Sequence, residues 1–159
     1  MIKTYDDVLP EPLLDFIRHE VDNLSFRKHT STKEMFDSGI YFFASVEENL
    51  LSHRFLFNIF CDKYNLPNKD VKRSYTNCYP PLTGGEFHED DGDQTFLFFP
   101  DKTENKKGGT SFLDGTTIEY KTNRLIIFDA SKWHCVKEIT KGTRYAVAIN
   151  LWDKKPQAL

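Results

Sequence analysis

The spacing of apolar side chains changes near residue 67. Before that point, Leu13, Leu14, Phe16, Ile17, Val21 and Leu24 recur at helical spacing behind Pro10 and Pro12, which suit a helix start, and they predict a helix over residues 12–24. A second apolar-rich stretch, with Leu50, Leu51, Phe55, Phe57, Ile59 and Phe60, predicts a helix over 47–64 that ends near Leu66-Pro67. Between them, residues 25–40 mix Arg27, Lys28, His29, Thr30, Ser31, Thr32 and Lys33 with Met35 and Phe36 and keep no period. The simplest reading of that segment is a surface connection, with an edge hairpin or a mobile lid as alternatives.

After Val71 the pattern is short and strand-like. Strands are expected over 74–79, 86–90, 94–99, 110–113, 116–120, 125–128, 133–139 and 144–152, punctuated by Pro80-Pro81, Gly84-Gly85, Gly108-Gly109, Asp114-Gly115 and Lys141-Gly142. About eight short strands at regular spacing indicate a β-sandwich or jelly roll. The fold class is therefore mainly β (α+β), with N-terminal helices in support. A length of 159 residues is one domain. Residues 1–70 form the helical support and any lid, 71–153 the β core and 154–159 a frayed tail.

Composition narrows the field. Fourteen Phe and seven Tyr favour a sheet-rich core. A formal charge of −3 with no basic patch excludes general nucleic-acid binding, which needs cations to displace counterions from phosphates. Cys61, Cys78 and Cys135 form no Cys-x-x-Cys pair and are expected to be reduced. No 18-residue apolar run exists, and the first 30 residues lack the apolar run of a signal peptide, so a soluble, cytoplasmic protein without membrane partners is expected.

The candidate chemistry lies in His88-Glu89-Asp90, the downstream His134 and, ten residues later, Arg144. Two histidines and one carboxylate are the protein ligands of a non-haem ferrous centre that keeps positions open. Residues two apart share a face only on extended backbone, so His88 and Asp90 call for a strand over 86–90. On the last strand, Arg144, Ala146, Ala148, Asn150 and Trp152 share one face, and Tyr145, Val147, Ile149 and Leu151 the other. Only the second face resembles ordinary core. The first suits a flat ligand whose carboxylate is gripped by the guanidinium. With Ile139 and Arg144 flanking a turn at 140–143, His134 and Arg144 are expected on neighbouring antiparallel strands facing one cavity.

Blander readings apply to other residues. His88 and Asp90 alone fit a surface hydrogen-bonded pair. His19, His29 and His53 lack a partner motif and are assigned to surface or helix positions. Asp91 and Asp93 do not fit a calcium loop and are read as turn residues or acceptors behind the metal ligands. Arg124 is read as structural, Cys135 as packed and inert, and Gly108-Gly109 as a tight turn.

Together, Tyr79-Pro80, Gly85-x-x-His88-x-Asp90-x-x-Asp93, Thr95, Gly108-Gly109-Thr110, Asn123 to Phe128, Trp133-His134-x-Val136-x-x-Ile139 and Gly142 to Ala146 resemble the prolyl 4-hydroxylase-like branch of the Fe(II)- and 2-oxoglutarate-dependent oxygenases. The resemblance spans about residues 73–152. It implies a double-stranded β-helix in which His88, Asp90 and His134 bind iron, Arg144 pairs with the distal carboxylate of 2-oxoglutarate and Tyr79 hydrogen-bonds that cosubstrate. It further implies Fe(II), 2-oxoglutarate and dioxygen, with ascorbate as a further cofactor, and hydroxylation of a C–H bond with succinate and CO2 as co-products. Where relatives carry a tyrosine after the Thr95 region, this chain has Phe98 and Phe99, so another hydroxyl, Thr95 or Tyr75, is expected beside the cosubstrate.

Three readings follow: hydroxylation of a prolyl residue in an intracellular peptide or protein, the same chemistry on a free amino acid or other small molecule, or a non-catalytic metal-binding jelly roll. A structural zinc site would normally be closed by four protein ligands, which counts against the last. Residues 26–40 and the loop 101–107 are expected to flank the substrate groove.

Overall fold

The computed structural model describes residues 1–29, 42–67, 69–101 and 108–152. The elements are β1 (Ile2–Tyr5), α1 (Glu11–Asp22), β2 (Phe26–His29), β3 (Phe42–Ser45), α2 (Leu51–Tyr64), β4 (Asp70–Tyr79), β5 (Gln94–Phe99), β6 (Thr110–Phe112), β7 (Thr117–Ile118), β8 (Arg124–Asp129), β9 (His134–Val136) and β10 (Arg144–Trp152). All pairings are antiparallel. A seven-stranded sheet in the order β1-β8-β5-β10-β4-β3-β2 faces a three-stranded sheet in the order β7-β6-β9.

Alternation along the central strands builds two interiors. Phe96, Phe98, Leu125, Ile127, Val147, Ile149 and Leu151 point to one face, where Leu14, Ile17 and Val21 of α1 and Leu56, Phe57 and Phe60 of α2 cover them. Leu97, Phe99, Ile126, Phe128, Ala146 and Ala148 point to the other, against Phe112 and Tyr120. Covering both faces explains the near-continuous apolar runs Phe96 to Phe99 and Leu125 to Phe128. Pro10 at the cap and Pro12 in the first turn start α1, and Asn65, at φ 48°, stops α2 in the left-handed conformation.

The chain departs from the expected elements at several places. The N-terminal region carries strands as well as helices: β1 extends the large sheet beside β8, and β2 and β3 are the arms of an edge hairpin whose intervening residues 30–41 lie outside the described ones. These strands are four residues each, too short to show a period. Helix α2 begins at Leu51 rather than at 47. The strand expected over 86–90 is reduced to one bridge, His88 to His134. His134 and Arg144 are not on neighbouring strands: β9 belongs to the small sheet and β10 to the centre of the large one. Gly108-Gly109 is not a tight turn but a close approach, since a Cβ on Gly109 would come within 2.4 Å of the Ile118 carbonyl oxygen. The expected tail, 154–159, and residues 102–107 of the groove loop lie outside the described residues. None of the helices in the described residues is long and apolar enough to cross a membrane.

His53 is in a helix as expected, but it is a core residue, 3% exposed, with Nδ1 3.1 Å from the Ser74 hydroxyl and Nε2 3.3 Å from that of Thr76. Burial pushes its pKa down from 6.5 to about 4. The unfolded chain therefore binds a proton between those values that the folded protein refuses, and stability falls as pH drops through this window. At about 1.4 kcal/mol per pH unit the loss approaches roughly 3 kcal/mol. Urea unfolding from pH 7 to pH 4 is expected to show a wild-type decline steeper by about that amount than in His53→Gln.

Candidate active site

Two side chains two residues apart, His88 and Asp90, converge with the distant His134. His88 and His134 exchange two backbone hydrogen bonds, each 2.9 Å, which turns both imidazoles to the same side. The Asp90 amide donates to the Ala130 carbonyl at 2.9 Å and brings its carboxylate alongside. One potential ligand atom from each of His88, Asp90 and His134 lies within 4.8 Å of the others. His134 Nε2 is 3.6 Å from Asp90 Oδ2, and His88 Nε2 is 4.0 Å from Oδ1.

The surroundings fix the histidine tautomers. His88 Nδ1 is 2.9 Å from the Glu86 carbonyl, and His134 Nδ1 is 2.9 Å from that of Lys132. A carbonyl only accepts, so each Nδ1 carries the hydrogen and each Nε2 presents its lone pair inward. Burial lowers the pKa of His134, which keeps it neutral. The buried Thr95 hydroxyl donates to Asp90 Oδ2 at 2.7 Å. This hydroxyl orients the carboxylate, so of the two hydroxyls expected beside the cosubstrate Thr95 is already committed, while Tyr75 lines the pocket that holds Arg144. Asp91 and Asp93 lie in the bend that follows Asp90, the turn positions expected of them: Asp91 pairs with Lys72, and the Asp93 amide donates to the Leu151 carbonyl.

Arg144 lies deeper, 1% exposed, in a narrow pocket shared with Tyr75, Asn77, Tyr79, His88, Asp90, Thr110 and His134. The expected face of β10 is present, with Arg144, Ala146 and Ala148 lining this pocket. Nη2 donates to the Thr110 hydroxyl at 3.1 Å, while Nε and Nη1 are buried without partners. No carboxylate of the described residues is within ion-pairing distance. The guanidinium sits 4.8 Å from the centre of the Phe99 ring and 5.2 Å from that of Tyr79. Burial lowers its pKa to about 10, opposed by Tyr79 and Asp101, so it stays charged at neutral pH. Burial raises the pKa of the Tyr79 phenol, which remains a neutral donor. Arg124, by contrast, is bound by Asp6 and the Glu119 carbonyl and is structural.

The Phe98 and Phe99 departure has a structural answer. Phe98 packs against Phe60 on the helix side, and Phe99 forms the wall beside Arg144. The hydroxyl on the guanidinium comes instead from Thr110, while the Tyr120 ring centre lies 6.0 Å from it, tilted against Phe99 with ring centres 4.7 Å apart and its buried hydroxyl unpartnered. Thr110 entered the sequence reading of the site only as part of Gly108-Gly109-Thr110 and Tyr120 not at all, because only the placement of β6 and of the residues after β7 opposite β10 brings them close. On the other side of the metal-ligating set, a pocket of about 180 Å³ is lined by Phe42, Ala44, Arg73, Tyr75, Asn77 and Asn150 among others.

No protein-family model matches the chain, and no curated protein is similar to it in sequence. Solved structures do match. A 2OG-Fe(II) oxygenase family oxidoreductase from Burkholderia pseudomallei superposes with a TM-score of 0.72 at 12% identity, covering 98% of this chain and 89% of that one. A prolyl hydroxylase from Trichoplax adhaerens, in complex with a hypoxia inducible factor peptide fragment, gives 0.68 at 14%, covering 96% and 83%. The carbocyclase SnoK of nogalamycin biosynthesis, non-haem and α-ketoglutarate-dependent, gives 0.70 at 9%, covering 93% and 78%. At these identities the likeness speaks for the fold. The chain has the double-stranded β-helix fold of the 2-oxoglutarate- and Fe(II)-dependent oxygenases.

Proposed function

We propose that this protein is an Fe(II)- and 2-oxoglutarate-dependent dioxygenase that hydroxylates a C–H bond, most readily that of a prolyl residue in a peptide or protein. The observation that carries the reading is the pairing of two features in one cavity. A His88, Asp90 and His134 set has inward lone pairs, and a buried Arg144 has two unpartnered nitrogens.

The donor set fits the metal. Two neutral imidazoles and one carboxylate are the ligand choice of a ferrous centre with open positions, and pockets on both sides leave room for further ligands. The cosubstrate fits too: a dicarboxylate would give Arg144 the anion that the described residues do not supply. Fe(II), 2-oxoglutarate and dioxygen, once bound, supply the insertion of one oxygen atom into a substrate C–H bond and the oxidative decarboxylation of the cosubstrate to succinate and CO2.

The protein's own contribution is positional. Thr95 and the Glu86 and Lys132 carbonyls hold the three ligands in one orientation. Arg144 and Tyr79 hold the far end of the cosubstrate, and the rings of Phe99 and Tyr79 exclude water from the guanidinium. The peptide-bound Trichoplax enzyme among the structural neighbours and the open outer pocket support the prolyl assignment. SnoK shows that the same fold serves α-ketoglutarate-dependent carbocycle chemistry, and so supports a small-molecule substrate as the second reading.

Protein loaded anaerobically with Fe(II) is expected to form succinate from 2-oxoglutarate once oxygen is admitted, and faster with a proline-containing peptide. Asp90→Ala abolishes turnover. Arg144→Lys, which keeps the charge but loses the two-pronged grip, raises the KM for 2-oxoglutarate by roughly 10- to 100-fold and is rescued by excess cosubstrate. Iron binding without succinate under any of these conditions would overturn the reading.

Removing the Thr95 hydroxyl is expected to weaken the metal site without dismantling it. In chelator competition, Thr95→Val should bind Fe(II) roughly 10- to 100-fold more weakly than wild type. Equal affinity would mean that Asp90 needs no orienting bond.

A further inference from the structure

The outer pocket contains two buried acceptors that no protein group uses. Asn150 is 3% exposed, and its amide oxygen lacks a hydrogen-bond partner, as does the buried amide oxygen of Asn77. Both residues line the pocket of about 180 Å³ beside His88 and Asp90. A buried acceptor left unmade costs about 1–3 kcal/mol, which an apolar side chain in either place would avoid.

The backbone aims these amides. Asn150 lies across from Arg73 on β4 and from Thr95 on β5, and Thr95 is the residue that grips Asp90. The register of β10 against β4 slips between Asn150 and Leu151, the kind of bulge that redirects a side chain at the edge of a site. Asn77 sits two residues before Tyr79 on the cavity side of β4 and lines both the outer pocket and the Arg144 pocket.

The basic side chains around them are already paired. Glu48 binds Arg73 through two hydrogen bonds, of 2.7 and 3.1 Å, the Arg73 guanidinium lies over the Tyr75 ring, and Asp91 pairs with Lys72. What the two amide oxygens lack is a neutral hydrogen-bond donor. A prolyl nitrogen in a peptide carries no hydrogen, so such donors must come from the residues beside it.

We propose that Asn150 and Asn77 are specificity-determining residues that accept hydrogen bonds from main-chain N–H groups flanking the hydroxylated residue of a peptide substrate. This rests on the hydroxylase reading above.

The test uses the iron-loaded protein and one short proline-containing peptide, compared with copies N-methylated at each non-prolyl position in turn. At one or more positions, N-methylation is expected to lower wild-type kcat/KM about tenfold, mainly through KM, and that penalty is expected to shrink to within about twofold in Asn150→Leu or Asn77→Leu. Equal turnover of methylated and unmethylated peptides, or a penalty that persists in both variants, sinks this proposal and leaves the hydroxylase reading standing. Succinate formation that no peptide stimulates sinks the prolyl reading and this proposal with it. A second readout needs no substrate: both variants are expected to unfold at the wild-type temperature or above. A fall of more than about 5 °C in both would assign the amides a structural role and overturn the proposal.

Discussion

Strand β10 has to serve two interiors at once, and the rest of the molecule is arranged around that constraint. Its odd-numbered residues, Val147, Ile149 and Leu151, anchor the core under the helices. Its even-numbered ones, Arg144, Ala146, Ala148 and Asn150, line the cavity. A strand can do this because alternate side chains leave opposite faces of the sheet. With β5 on one side and β4 on the other, β10 cannot slip by one residue without putting Arg144 into the helix-covered core. The apolar face thus sets the register that places the charged one. The two alanines are small enough to keep the cavity open between its charged end and its amide end.

That charged end is expensive. A guanidinium taken out of water without an anion costs several kcal/mol, and one hydroxyl and two aromatic faces offset only part of it. The position persists because the surrounding packing over-determines it: Gly108 and Gly109 let β6 approach closely enough for Thr110 to reach Arg144. A site held at a cost in the ligand-free protein is one that a matching anion stabilises by binding. The same logic governs the amides at the other end, where the unmet partner is a donor rather than an anion.

Much of this was legible in the sequence because short apolar runs bounded by turn residues mark strands. β5 and β10 occupy the residues expected of them, and the two faces of β10 are those its sequence pattern predicts. His88, Asp90 and His134 were readable as a set, and the structure brings them together. What was not legible depends on long-range placement. Residues 86–90 look like a strand but pair only at His88, because the chain must bend for the Asp90 amide to reach Ala130. β1 to β3 are too short to carry a period. Thr110 and Tyr120 gain meaning only when β6 and the residues after β7 close over β10, and the helical position expected of His53 does not reveal that Ser74 and Thr76 meet it in the core. Side chains that orient others through hydrogen bonds leave little trace in spacing, so the bond from Thr95 to Asp90 was not foreseen when Thr95 and Tyr75 were both open as cosubstrate contacts.

The cavity divides its chemistry along the β4–β10 ladder. At the Tyr79–Arg144 rung a cation awaits an anion, and at the Arg73–Asn150 rung the charges are already matched and only a neutral acceptor is free. His88 and Asp90 border both pockets, and His134 borders the Arg144 pocket. A ligand with a free carboxylate gains most at the first rung, where desolvation strengthens the pairing. It gains little at the second, where Glu48 already occupies the Arg73 guanidinium. The two ends therefore differ in the ligand they favour: an anionic group beside Arg144 and a neutral donor beside Asn150.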